Sequence, residues 1–300
     1  MEQNRIETII GSMNTIFLGQ AEVVKAAVCA LLARGHILLE GVPGVGKTLI
    51  GLALSRLLQV SFKRIQFTND LLPSDITGFH TFHGTSGDLN LVKGPVFASI
   101  VLADEINRTS PKTQSALLEA MGENKVTIDG ITYDLPQPFM VIATQNPAET
   151  AGTFPLPESQ MDRFLFKINV GYPPLEEELQ ILTKGIDHAD ALRLEPVVNA
   201  EDIGTMIMKA GQVLVHRDVL KYMAMIVRST RAHPSSELGV SPRGGLALKK
   251  ASQAWAYMHG RDFVTPGDVK AVAPYTLGHR IISRNNDAAG IIEGLVHEIP

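Results

Sequence analysis

Cysteine and tryptophan each occur once in this 300-residue chain. With Cys29 alone, no intramolecular disulfide can form. Its place in the apolar run Ala26-Ala27-Val28-Cys29-Ala30-Leu31-Leu32-Ala33 marks it as a buried structural thiol and not a nucleophile. Excess charge is also missing. The 27 basic and 31 acidic residues leave a net charge of −4 with no long run of either sign, so the electrostatic footprint of nucleic-acid binding is lacking. No stretch has the apolar length that spans a bilayer, and Met1-Glu2-Gln3-Asn4-Arg5 leads into a polar amphipathic pattern and not into an apolar signal. These absences predict a cytoplasmic protein with no nucleic-acid partner and no integral membrane segment. The hydrophobic content of 45% is enough to build one large or two smaller cores.

The most informative stretch is Gly41-Val42-Pro43-Gly44-Val45-Gly46-Lys47-Thr48, a glycine, four residues, then Gly-Lys-Thr. Several backbone N–H groups must converge on a triphosphate, and side chains at Gly41, Gly44 and Gly46 would block that approach or forbid the backbone angles. Lys47 supplies a point charge for the terminal phosphates, and the Thr48 hydroxyl is a ligand for Mg²⁺. The flanks agree: residues 36–40 read as a short buried strand and 49–58 as a helix whose positive end faces the phosphates. Residues 6–34 have helical spacing broken at Leu18-Gly19-Gln20. A turn there would bring the chain back over the nucleotide, which makes Gln20 a candidate contact.

Further along, residues 61–68 alternate like a half-buried strand, and 70–78 read as a short capped helix. Residues 79–95 read as a loop or small hairpin in which His80 and His83 are solvated. The apolar run 96–103 predicts a strand buried on both faces that delivers Asp104 and Glu105 at its tip, on the sheet edge where the phosphate loop also lies. A helix over 112–121, a hairpin around Asp129-Gly130, a buried strand over 139–144 and a last strand over 165–170 follow. Beyond Gly171-Tyr172-Pro173-Pro174 only amphipathic helices are expected, with Val240–Gly245 a turn before a helix over 245–258. Trp255, Tyr257 and Met258 read as core of this helical part. The expected organisation is an α/β nucleotide domain over 1–172, a parallel sheet flanked by helices, and an all-α lid over 173–300.

Asp104-Glu105 narrows the chemistry. Asp104 would hold the hydration shell of Mg²⁺, and Glu105 would polarise a water for in-line attack on the γ-phosphate, which makes hydrolysis the natural outcome. Asn146, ending the strand over 139–144, could orient that water from the other side, although an asparagine before proline is also an ordinary turn residue. Arg163 and Arg243 are unremarked arginines by position alone.

The blocks Gly41–Thr48, Leu71-Leu72-Pro73-Ser74-Asp75-Ile76-Thr77-Gly78, Ile100-Val101-Leu102-Ala103-Asp104-Glu105-Ile106-Asn107-Arg108, Ala143-Thr144-Gln145-Asn146-Pro147, Met161-Asp162-Arg163-Phe164 and Ser241-Pro242-Arg243 together resemble the MoxR family of AAA+ ATPases, across almost the whole chain. The resemblance implies an AAA+ fold with bound ATP and Mg²⁺. It also implies Asn146 as sensor 1, Arg163 as an arginine finger reaching the adjacent subunit's nucleotide, and Arg243 as sensor 2, carrying lid movement to the γ-phosphate. Residues 79–93 match an insertion in helix 2 and 126–135 a hairpin before sensor 1, both placing the chain near the magnesium chelatase branch, whose members form hexameric rings. Arg108 would be either a second trans-acting arginine or a structural ion-pair partner. Chaperone-like remodelling of a protein substrate is implied, with a separate partner carrying a von Willebrand factor A domain. Rivals are a metal-chelatase motor subunit, a nucleotide-controlled binding switch and a DNA-remodelling protein, the last opposed by the charge balance.

Overall fold

The computed structural model describes residues 2–42, 44–83, 88–147, 152–185, 188–285 and 287–299. Pro43 of the phosphate loop and residues 84–87 of the first insertion lie outside them. The chain begins with two helices, α1 (Glu2–Asn14) and α2 (Ala21–Leu32), parted at Gly19. Next come β1 (Ile37–Glu40), α3 (Lys47–Leu57), β2 (Phe62–Gln66) and the short α4 (Pro73–Thr77). The hairpin β3 (Gly78–His83) and β4 (Asp88–Lys93) leads into β5 (Ile100–Asp104) and α5 (Pro111–Glu123). A second hairpin, β6 (Lys125–Ile128) and β7 (Ile131–Asp134), precedes β8 (Met140–Gln145), α6 (Glu158–Met161) and β9 (Phe166–Asn169).

Five of these strands form one parallel sheet in the order β2-β5-β8-β1-β9. Because side chains alternate along a strand, each buried strand serves two cores. Ile37, Leu39, Ile100, Leu102 and Ile142 face α1–α3. Leu38, Val101, Ala103, Val141 and Ala143 face α5 and the two hairpins. Three crossovers therefore put the carboxyl ends of β1, β5 and β8 side by side, the place where open α/β sheets bind ligands.

After β9 the chain is mainly helical: α7 (Leu175–Lys184), α8 (His188–Leu192), α9 (Ala200–Gln212), α10 (Arg217–Ala232), then β10 (Ser236–Leu238), α11 (Pro242–Met258), α12 (Pro266–Leu277), β11 (Ile282–Ser283) and α13 (Ala288–Glu298). Buried residues of α9–α13 join α1, α2 and one sheet face in a single apolar core, with α2 lodged between sheet and lid. Cys29 sits there fully buried, and burial pushes its thiol well above the ordinary range, as its structural role requires. Among the described residues, no helix is long and apolar enough to cross a membrane.

Several expectations are corrected. The run 96–103 is not one strand: Pro95–Phe97 form a 3₁₀ turn and β5 starts at Ile100. Pro95, with its fixed φ and no N–H, suits the start of that turn, while Val96 stays in the core. The helical part is not free of strands, since β10 and β11 pair antiparallel, too short to show alternation. The helix expected from residue 245 starts at Pro242, with Ser241 Oγ accepting from the Gly244 N–H, so Arg243 lies in its first turn. His80 is not solvated. Its side chain is 4% exposed, between Asp129 Oδ2 at 2.8 Å and Tyr133 Oη at 2.9 Å, both from the second hairpin. The side chain of His83 lies outside what is described.

His36 ties the sheet together at its other end. Its Nε2–H donates to Met121 O at 3.0 Å and its Nδ1 accepts the Val141 N–H at 3.0 Å, so the ring is held neutral between α5 and β8. Burial lowers its pKa to about 4. A depressed histidine pKa contributes stability that is fully present above the usual value near 6.5 and is lost as pH falls from there through 4, because the unfolded chain takes up the proton first. That amounts to something on the order of 3 kcal/mol. The melting temperature of the wild type should therefore fall more steeply between pH 6.5 and pH 4 than that of His36→Gln. Parallel melting curves against pH would contradict this account.

Candidate functional site

The phosphate loop leaves β1 at Glu40 and enters α3 at Lys47, so the N-terminus of the helix, its positive end, faces the space the loop encloses. Gly41 has no room for a side chain, since a Cβ there would collide with the Val170 carbonyl oxygen beside the end of β9. Gly46 caps α3 with φ of 80°, in the left-handed region where glycine is unstrained. Lys47 Nζ donates to Gly41 O at 2.6 Å and to Gln145 O at 3.4 Å, which lays its charge along the loop toward the end of β8. Thr48 occupies the first turn of α3, and Val42, Gly44 and Val45 complete the described part of the loop.

Beside the loop is a cleft of about 300 Å³ with Phe17, Gln20, Val45, Leu49, Tyr172 and Ile181 among its walls. Gln20 lines the cleft, and its Nε2 donates to Gly171 O at 2.8 Å, which pins the turn after α1 to the segment after β9. Apolar walls next to a phosphate cradle suit a heterocyclic base attached to a phosphate chain.

Two strands over, Asp104 and Glu105 end β5 beside the end of β8. Thr144 joins them: its Oγ1 donates to Asp104 Oδ1 at 2.6 Å and accepts the Glu105 N–H at 2.9 Å. The other Asp104 oxygen takes Arg64 Nη2 at 2.6 Å from β2. Glu105 has φ of 57°, a left-handed conformation that costs a non-glycine residue about 1 kcal/mol and turns its side chain out of the strand direction. Its Oε2 accepts from Gln66 Nε2 at 2.9 Å and from Arg108 Nη1 at 3.1 Å. Arg108 is thus the ion-pair partner of Glu105 in this structure. Asn146 follows β8 directly and is buried.

The loop, Gln20, Asp104, Glu105 and Asn146 therefore share one edge of the sheet, while Arg163 and Arg243 do not join them. Leu165 N donates to His36 O at 2.8 Å, which sets the segment 162–165 at the amino ends of β1 and β9. Arg163 Nη1 donates to Leu118 O of α5 at 2.8 Å and lies over Gly122, where a Cβ would strike it. Arg243 Nε lies 3.8 Å from Asp162 Oδ2. Sequence reasoning missed Arg64, Gln66 and Thr144. The one available signal was positional and held for Gln66 and Thr144, which lie at or near the carboxyl end of a predicted strand, while Arg64 lies mid-strand.

The donor set fits a nucleoside triphosphate with a divalent cation: a glycine cradle a Cβ would fill, a lysine, a threonine hydroxyl at a helix start and an adjacent carboxylate pair. Fold and site together define a P-loop nucleotide-binding α/β protein with a helical lid.

Comparison with known proteins carries this further. Residues 36–166 match the family described as "ATPase family associated with various cellular activities (AAA)", and residues 228–298 match the AAA lid domain. YeaC of Bacillus subtilis is 50% identical over 270 residues, covering 90% of this chain and 84% of its own. Chaperone MoxR1 of Mycobacterium tuberculosis is 41% identical over 291 residues, covering 94% of this chain and 76% of its own. A crystal structure from Cytophaga hutchinsonii superposes with a TM-score of 0.90 at 37% identity, covering 100% of this chain and 95% of that one. The chain belongs to the MoxR family of AAA+ ATPases, related to the magnesium-chelatase ChlI subunits.

Proposed function

We propose that this protein hydrolyses ATP at sites shared between the subunits of a homo-oligomeric ring in the cytoplasm, and uses the cycle to remodel a protein client. Lys47 and the N-terminal turn of α3 would bind the β- and γ-phosphates. Glu105 would accept a proton from the attacking water, and Asn146 would orient that water. Thr48 and the hydration shell around Asp104 would hold Mg²⁺, which supplies charge neutralisation on the phosphate oxygens. Glu105 would exchange its present contacts with Gln66 and Arg108 for that water.

The observation that carries the shared site is the separation of the cations from the loop. Arg163 and Arg243 sit at the amino edge of the sheet, and the length of β1, roughly 13 Å for four residues, separates that edge from the loop. An arginine there is far from its own phosphates and well placed for those of a neighbour. In this reading, residues 173–300 form a lid that carries Arg243, and the two hairpins and a separate von Willebrand factor A-domain partner select the client. The name of the Mycobacterium relative, a chaperone, supports the client role.

The test is nucleotide binding followed by phosphate release on the purified protein. Lys47→Ala should weaken ATP binding roughly 10- to 100-fold, the worth of a lost charge-assisted contact. Unchanged ATP binding by that variant would remove the loop from the site.

A further inference from the structure

Arg280 is an enclosed cation, with a side chain 4% exposed. It follows α12, far in sequence from any motif. Its Nε donates to Asp162 Oδ1 at 2.6 Å. Its Nη2 donates to Asp162 O at 3.0 Å and Phe164 O at 2.8 Å, and its Nη1 to Leu165 O at 3.3 Å and to Thr276 O. Apart from Thr276 and the neighbouring His279 ring, whose Nε2 lies 2.9 Å from Nη1, every partner belongs to 162–165, the segment that contains Arg163. Its neighbour His279 is buried with Nε2 at 3.1 Å from Phe164 O, and burial together with the Arg280 charge keeps the imidazole well below its ordinary range, hence neutral. A buried guanidinium is retained only when its donors are met, and most of these are met by one short stretch of the other layer.

The same aspartate faces a second cation. Its Oδ2 lies 3.8 Å from Arg243 Nε, too long for a hydrogen bond but within ion-pair range. Because that pair uses Nε, the terminal nitrogens of Arg243 are not consumed by it. Gly244 makes the arrangement fit, since a Cβ there would stand 2.9 Å from Arg280 Cδ. Arg280 therefore packs against the very turn of α11 that presents Arg243, while holding the strand of chain that presents Arg163.

We propose that Asp162, fixed by Arg280, is a positioning residue that presents Arg243 beside Arg163, so that the two cations approach the γ-phosphate as a pair. This rests on the assignment of those arginines to the shared site. Neither Asp162 nor Arg280 touches the nucleotide. The lid and the 162–165 segment thereby move as one body, and displacement of the lid shifts both cations together.

A double-mutant cycle on ATP hydrolysis by the assembled protein tests this. Asp162→Asn keeps an acceptor for Arg280 but removes the charge facing Arg243. It should lower kcat about fivefold, the upper end for a partly exposed ion pair, with little change in KM because the phosphate loop is untouched. Arg243→Ala should lower kcat further, and the double variant should match Arg243→Ala alone, since the positioned group is already gone. A purely structural role would instead lower the active fraction and give losses that multiply, and multiplying losses would overturn the proposal. Should Asp162→Asn fail to fold, Arg280→Lys, which keeps the charge but gives up the fork to 162–165, enters the same cycle with the same expected non-additivity. Full turnover in both Arg163→Ala and Arg243→Ala would overturn the arginine assignment itself, and the positioning role with it. Loss in those two with multiplying effects of Asp162→Asn would overturn the positioning role alone.

Discussion

Arg163→Ala is expected to lose about a thousandfold or more in ATP turnover while still binding nucleotide. Two features set the size of this effect. A cation placed against the transferring phosphoryl group acts where charge develops, in a site that excludes water, so its removal is felt mainly in kcat. Arg163 also contributes nothing to its own loop, because it lies at the amino edge of the sheet with its guanidinium on Leu118 O. Binding by the variant chain should therefore be close to that of the wild type. The wild-type arginine must leave the Leu118 carbonyl, and its place over Gly122 where a Cβ would strike it, to reach a neighbour. Fluorescent-nucleotide titration beside phosphate release separates the two quantities. Normal turnover in the assembled variant would remove Arg163 from the site.

Glu105→Gln should lower hydrolysis roughly 100- to 10,000-fold and leave ATP bound. The substitution is nearly isosteric, and the new carbonyl oxygen can still accept from Gln66 and Arg108, which hold Glu105 at 2.9 and 3.1 Å. What disappears is the basic oxygen. The left-handed backbone at residue 105 persists, because it is held by Thr144 Oγ1 on the Glu105 N–H and not by the carboxylate. Loss of binding together with hydrolysis would mean that Glu105 holds the nucleotide; brisk hydrolysis would show that another group takes the proton. The trapped complex is also the form in which a client would be retained for identification.

Much of the candidate site was legible because its chemistry is local. Gly41 to Thr48 is one contiguous stretch, and Asp104-Glu105 and Asn146 end apolar runs that read as buried strands, so the strand-end rule places them on one edge. The parallel sheet followed from the same runs. What stayed hidden depends on pairing across the sheet and between layers. Gln66 stands beside Asp104 only because β2 and β5 pair in that register. Arg64 and Thr144 acquire meaning through the same alignment. Arg280 is 118 residues from Asp162 and fits no motif, so nothing local pairs it with the block that contains Asp162. His80 was misread for the same reason, since its partners Asp129 and Tyr133 come from another hairpin. The start of the run 96–103 misled in the opposite way, since the turn that Pro95 opens takes in Val96 and Phe97.

The central claim is that one chain's loop is completed by another chain's arginine, and mixing two inactive variants tests it directly. Lys47→Ala chains keep Arg163 but lack a working loop, while Arg163→Ala chains keep the loop but lack the arginine. If the site is shared, co-assembly of the two restores ATP hydrolysis well above either alone, because some interfaces pair an intact loop with an intact Arg163. If each chain completes its own site, the mixture stays as inactive as its components, and the shared-site account is wrong.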